Sequence, residues 1–145
     1  MVLAFNARVA TRDVDALFRP SQLVRDLAMK VGDTHELPAT WLNDGVKGFV
    51  SARHDVITGN LPQFPHLRLT MPVPEYLLAM KCMAARLGGT TGEPSDVADI
   101  TFLLRHLHVN SAEKALDIVV RYYPANRVPA KTQYLVEGLF EEGQI

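Results

Sequence analysis

The stretch Arg8-Val9-Ala10-Thr11-Arg12-Asp13-Val14-Asp15 decides how this chain is read. From about Arg12 to Phe18 polar and apolar residues alternate, the period of a half-buried β-strand. Asp13 and Asp15 flank Val14, so on such a strand both carboxylates leave one face, about 6.6 Å apart. Aspartate is depleted in strands, and like charges on one face repel unless something positive lies between them. Two arrangements answer that repulsion. In one, the pair sits at a solvated strand end against Arg8, Arg12 or Arg19. In the other, the pair grips a hard cation. Magnesium takes carboxylates together with phosphate oxygens and water, and in phosphoryl transfer it neutralises charge and aligns the attacking and leaving oxygens.

Outward from this strand, Pro20 and Ser21 open a segment in which Leu23, Val24, Leu27, Ala28 and Val31 recur every three or four residues. That spacing predicts an amphipathic helix, with Gly32 as its C-cap. Trp41-Leu42-Asn43-Asp44-Gly45, followed by Val46, Phe49 and Val50, reads as a short helical or turn-rich unit around a large aromatic anchor. Leu67-Arg68-Leu69-Thr70-Met71 reads as a second strand, ended by Pro72 and Pro74. Four helices are predicted beyond it, over Pro74 to Leu87, Ser95 to Leu107, Ser111 to Tyr123 and Thr132 to about Glu141. Ser95 and Ser111 are their natural N-caps, and Gly88-Gly89-Thr90-Thr91-Gly92 is a connection. The predicted fold is α+β: a small mixed sheet over about residues 1–73 and a helical C-terminal half over about 74–145.

The chain has 145 residues, 48% hydrophobic and 21% charged, which predicts one domain with a true core. Fifteen basic against sixteen acidic residues leave a net charge of -1, which excludes a broadly basic nucleic-acid binder. One cysteine, Cys82, excludes an intrachain disulfide and the thiolate-rich zinc sites; a cytoplasmic setting is expected. The apolar start is too short for a signal peptide, and no run approaches the about 20 apolar residues that span a bilayer.

On the first C-terminal helix Lys81 shares a face with Leu77, Leu78, Ala84 and Ala85. A lysine on an apolar face reaches water or meets a negative partner. Asp96 and Asp99, three apart on the next helix, offer that partner. Asp96 also suits the positive end of its helix. The alternative for Lys81 is a substrate phosphate, which a point charge on a flexible stem accommodates.

Arg8-x-x-Thr11-x-Asp13-Val14-Asp15 resembles the Arg-x-x-Thr-x-Asp-x-Asp segment of AbiEii-type toxin nucleotidyltransferases, within the nucleotidyltransferase superfamily. Lys81-x-x-Ala84-x-Arg86 followed by Asp96-x-x-Asp99 resembles that group's helical motif, in the same order. Trp41-Leu42-Asn43-Asp44 and Pro74-Glu75-Tyr76-Leu77-Leu78-Ala79-Met80-Lys81 are similar to bacterial proteins assigned to the superfamily. The likeness runs from Val2 to about Glu141.

The resemblance implies a nucleotidyltransferase-like fold in which Asp13 and Asp15 hold magnesium. It further implies that Arg8, Thr11 and Lys81 meet the nucleoside triphosphate, with Asp99 at the site. The implied reaction moves a nucleoside monophosphate to an RNA, such as tRNA, or to a protein acceptor, in a toxin-antitoxin setting. The family pattern also includes a preceding strand ending in a Gly-Gly or Gly-Ser turn, whose amides cradle phosphate. Met1 stands about where that turn has ended, so the chain is expected to start one strand late. A third carboxylate is expected on a later strand, where this sequence has Arg68. These departures imply an alternative: a catalytically degenerate nucleotide-binding or antitoxin-type partner. A third reading is an oligomerisation domain that uses the exposed sheet edge.

Other signals carry less. No P-loop or Rossmann glycine string is present. His106 and His108, two apart on a helix, diverge. Cys82 reads as a buried inert thiol. Arg121-Tyr122-Tyr123, Arg127, Lys131 and Tyr134 interleave bases with aromatics, as in RNA-contacting surfaces, and read better as a solvated helix end with core tyrosines.

Overall fold

The computed structural model of the chain describes residues 13–85, 96–143 and 145. Among them the fold is α+β with a helical C-terminal half. Four two-residue strands are present: β1 (Val14–Asp15), β2 (Leu42–Asn43), β3 (Val56–Ile57) and β4 (Met71–Pro72). Five α-helices accompany them: α1 (Ser21–His35), α2 (Pro74–Ala84), α3 (Asp96–His106), α4 (Ala112–Tyr122) and α5 (Ala130–Glu141). The chain divides into two compact units, one ending at Val50 and the other running from Ser51 to Ile145.

The first unit is a β-α-β turn of chain. β1 pairs in parallel with β2, Val14 beside Leu42 and Asp15 beside Asn43, and α1 supplies the crossover that a parallel pair needs. Val14 N donates to Trp41 O at 2.6 Å and Ala16 N to Asn43 O at 2.9 Å. The strand is shorter than the alternation predicts, yet exposure still alternates along it, with Asp13 and Asp15 exposed around a half-buried Val14.

Helix α1 does not stop at Gly32. It runs on to His35, and Glu36 takes the left-handed conformation at φ 52°. The reason lies in Trp41, whose indole Nε1 donates to Ala28 O at 3.0 Å. A Cβ built on Gly32 would lie 3.4 Å from indole Cδ1 and Nε1. The glycine therefore admits the ring against the helix rather than ending it. The capping contact comes one turn later, where Leu37 N donates to Gly32 O at 3.0 Å.

In the second unit β3 and β4 are antiparallel, Val56 opposite Pro72 and Ile57 opposite Met71. The expected strand over Leu67–Met71 is thus displaced toward Pro72, and Arg68 lies exposed outside it. Gly59 turns the chain at φ 53°, with Met71 Cε packed where a side chain would begin. Helix α2 is central: it packs against α3, α4 and α5. It buries Tyr76, Leu78, Ala79, Met80 and Cys82 against Ile100, Leu103, Leu104, Val119 and Val136. With Pro74 at its first turn, α2 starts where proline costs no hydrogen bond. Ser111 caps α4, its Oγ accepting from Lys114 N at 3.3 Å. At the far end of α2, Thr132 Oγ1 donates to Cys82 O at 3.1 Å and Lys131 Nζ to Ala85 O at 3.0 Å. Helix α5 thereby satisfies carbonyls that α2 leaves open.

Candidate functional site

The residues singled out from the sequence fall into both units. Asp13 and Asp15 belong to the first, Lys81, Asp96 and Asp99 to the second. Arg8, Thr11, Arg86 and Ser95 lie outside the described residues.

In the first unit, Asp15 ends β1 and stands beside Asn43, which ends β2. The carboxyl ends of parallel strands are where open α/β sheets present ligand-binding groups. Asn43 Oδ1 accepts from Gly45 N at 3.0 Å and tightens the turn that follows. Asp44 forms ion pairs with Lys47 and Arg25. The hydrogen bond from Lys47, then that from Arg25, holds the Asp44 carboxyl below the usual carboxylate range. Asp44 is therefore committed to the frame, and the side chains at positions 13 and 15 are exposed. Among the described residues no three His, Cys, Asp or Glu side chains gather as a metal cage. A magnesium ion held by Asp13 and Asp15 would draw its remaining ligands from water and phosphate, which suits its chemistry.

In the second unit the structure brings Lys81, Asp99 and Asp96 together. Lys81 Nζ lies 2.9 Å from Asp99 Oδ2 and 3.9 Å from Asp96 Oδ1. Asp99 is only 3% exposed, and a buried carboxylate needs such a partner. The Lys81 and Asp96 side chains remain about a quarter exposed, at 28% and 26%.

A further polar group escaped the sequence reading. Ser51 N donates to Tyr76 OH at 2.9 Å, and Ser51 Oγ donates to Tyr122 O. Tyr122 OH donates to Asp55 Oδ2 at 3.1 Å, where Arg53 Nε also donates at 2.9 Å. The two tyrosine rings stack with centroids 4.8 Å apart, His54 meets Tyr76 edge-on at 5.7 Å, and Arg53 lies over the Tyr122 ring. Burial, reinforced by the bond to Asp55, raises the Tyr122 hydroxyl above its ordinary pKa. The available signal was chemical: a tyrosine in an apolar helix needs a hydroxyl partner, and Arg53-His54-Asp55 is the nearest polar run.

The remaining candidates have plain placements. Tyr122 and Tyr123 are buried and cannot stack on bases, while Tyr134 is exposed. His106 stacks on Phe102. Cys82 is buried, which pushes its thiol up to about 12.

Comparison of the chain with protein-family models, curated proteins and solved structures finds no match. No helix among the described residues is long and apolar enough to cross a membrane.

Proposed function

We propose that this chain is a nucleotidyltransferase-like protein that binds a magnesium-nucleoside triphosphate through Asp13 and Asp15. The single observation that carries this reading is the placement of two exposed carboxylates at positions 13 and 15, with Asp15 beside Asn43 at the carboxyl end of a parallel strand pair. Exposed carboxylates so placed give a hard cation an anchoring point while leaving room in its shell for phosphate oxygens. The resemblance of the Arg8–Asp15 segment to AbiEii-type enzymes supplies the reaction: transfer of a nucleoside monophosphate to an RNA, such as tRNA, or to a protein acceptor. In the same resemblance Lys81 is the residue assigned to the triphosphate, and within its own unit its ammonium lies 2.9 Å from Asp99. The setting is the cytoplasm, where triphosphate and acceptor meet, in a toxin-antitoxin role.

Isothermal calorimetry with each nucleoside triphosphate and magnesium tests this reading. Binding that requires magnesium and disappears in Asp13→Ala/Asp15→Ala is expected. No binding by the native chain, or equal binding by the double variant, removes it.

One observation favours the second reading, a catalytically degenerate nucleotide-binding or antitoxin-type partner. Lys81 is already neutralised by Asp99 and Asp96, which weakens its pull on a phosphate. Transfer of labelled nucleotide to tRNA by this chain would exclude that alternative. Nucleotide binding without transfer to any acceptor would favour it.

A further inference from the structure

Helix α1 carries two apolar rows. Val24, Ala28 and Gly32, four apart, form the inward one, half-buried to buried, against which Trp41 packs. Leu23, Leu27 and Val31 form the other, and they are exposed by 54%, 51% and 41%. Large side chains at i, i+4 and i+8 make one continuous strip. A strip of this kind, beside a row that already serves the unit's own packing, marks a contact surface.

The charges bordering the strip indicate its occupant. Arg25 is held by Asp44 on the far side of the helix. Along the border next to Leu23 and Leu27 stand Asp26 and Lys30, one negative and one positive, a helical turn apart. Gln22 Nε2 donates to Asp26 Oδ1 at 2.8 Å and orients that carboxylate. A two-fold axis at the level of Ala28, perpendicular to the helix, sets Asp26 of each copy opposite the partner's Lys30. The same axis brings the two Leu27 side chains together, offset by about 3 Å along the helix. A parallel arrangement, with its axis along the helices, would set this border of the two copies on opposite sides of the contact and form no Asp26–Lys30 pair of this kind. A border that reads negative, then positive, about its own midpoint is complementary to itself, as a two-fold interface requires.

We propose that α1 is a homodimer interface, packing antiparallel against α1 of a second copy through Leu23, Leu27 and Val31, with reciprocal Asp26–Lys30 ion pairs. One helix from each copy gives a contact at the small end of specific interfaces, which run upward from about 1,200 Å². The dimer is therefore expected to be weak and concentration-dependent.

Sedimentation velocity on the full chain, from low to high micromolar concentration, should show a monomer–dimer equilibrium. Lys30→Asp should weaken the dimer by about tenfold, as two lost and mutually repelling rim pairs imply. Asp26→Lys/Lys30→Asp should restore it. Leu27→Cys should cross-link into dimers under mild oxidation, against little background, because the native Cys82 is buried. A monomer at every concentration overturns the proposal. So does a dimer that Leu27→Cys fails to cross-link and Lys30→Asp fails to weaken. A monomer whose thermal midpoint falls on Leu27→Glu also overturns it, because the strip would then be covered within the chain.

Discussion

Lys81 Nζ and Asp99 Oδ2 meet at 2.9 Å across the packing of α2 on α3. The pair joins a side chain that still reaches water to one that does not, since Asp99 is buried while Lys81 is about a quarter exposed. Its two halves should therefore respond unequally to truncation.

Lys81→Ala removes the ammonium 2.9 Å from a buried carboxylate and should cost about 3 kcal/mol, the scale for breaking a buried pair from one side. Asp99→Ala leaves an ammonium that can turn to Asp96 or to solvent, and should cost nearer 1 to 2 kcal/mol. Urea denaturation measures both. Equal losses would mean that Lys81 is as trapped as Asp99. Lys81→Met/Asp99→Leu, which removes both charges, should recover much of the loss.

Gly32→Ala should stabilise the first unit by about 0.5 to 1 kcal/mol. Alanine exceeds glycine in helix propensity by about that amount, and the added Cβ lies at 3.4 Å from the Trp41 indole, at the edge of ordinary contact. Gly32→Leu should instead expel the ring and break its hydrogen bond to Ala28 O. Trp41 fluorescence reads the difference: nearly unchanged in Gly32→Ala, shifted to the red in Gly32→Leu.

The helices were legible because their signals are local and repeated. The Ser111 cap, Pro74 at a first turn and the apolar spacing of α4 all lie within a few residues of what they determine. The strands were not, because two residues per strand are too few to establish a period of two. What fixed their extent is pairing with chain far away, such as Val14 with Leu42 and Ile57 with Met71. Gly32 illustrates the same limit. A glycine near a helix end reads as a cap, and only the arrival of Trp41 reveals it as a packing position. The Lys81–Asp99 contact was legible because an apolar-face lysine demands a partner and the next helix offers carboxylates three apart. The Ser51 network was not, since it links Ser51 to Tyr122 across 71 positions.

That network should have an uneven energy profile. Tyr76→Phe removes the acceptor of the buried Ser51 N–H and should cost about 1 to 3 kcal/mol, the scale of an orphaned buried donor. Tyr122→Phe leaves Asp55 with Arg53 and should cost no more than about 1 kcal/mol. Both measurements use the denaturant midpoint at neutral pH. The reverse order would place the anchor of the Ser51 segment at Asp55 rather than at Tyr76.

Alkaline pH should unfold the protein through its buried acids. Burial raises the Cys82 thiol to about 12 and raises the hydroxyls of Tyr122 and Tyr123. In the unfolded chain a cysteine loses its proton near pH 8.5 and a tyrosine near pH 10. A group whose native pKa is raised contributes stability that is complete below the unfolded value. As pH climbs past that value, the unfolded state releases protons that the native state keeps, and stability falls. Cys82 acts first, over the window from about pH 8.5 to 12, at up to about 1.4 kcal/mol per pH unit. The two tyrosines steepen the fall above about pH 10. Thermal midpoints followed from pH 7 upward should therefore hold steady, then decline. In Cys82→Ala, which is less stable at neutral pH because of the cavity, the decline should begin later, near the tyrosine window. An unchanged onset in that variant would show that Cys82 is not the group that releases the first proton.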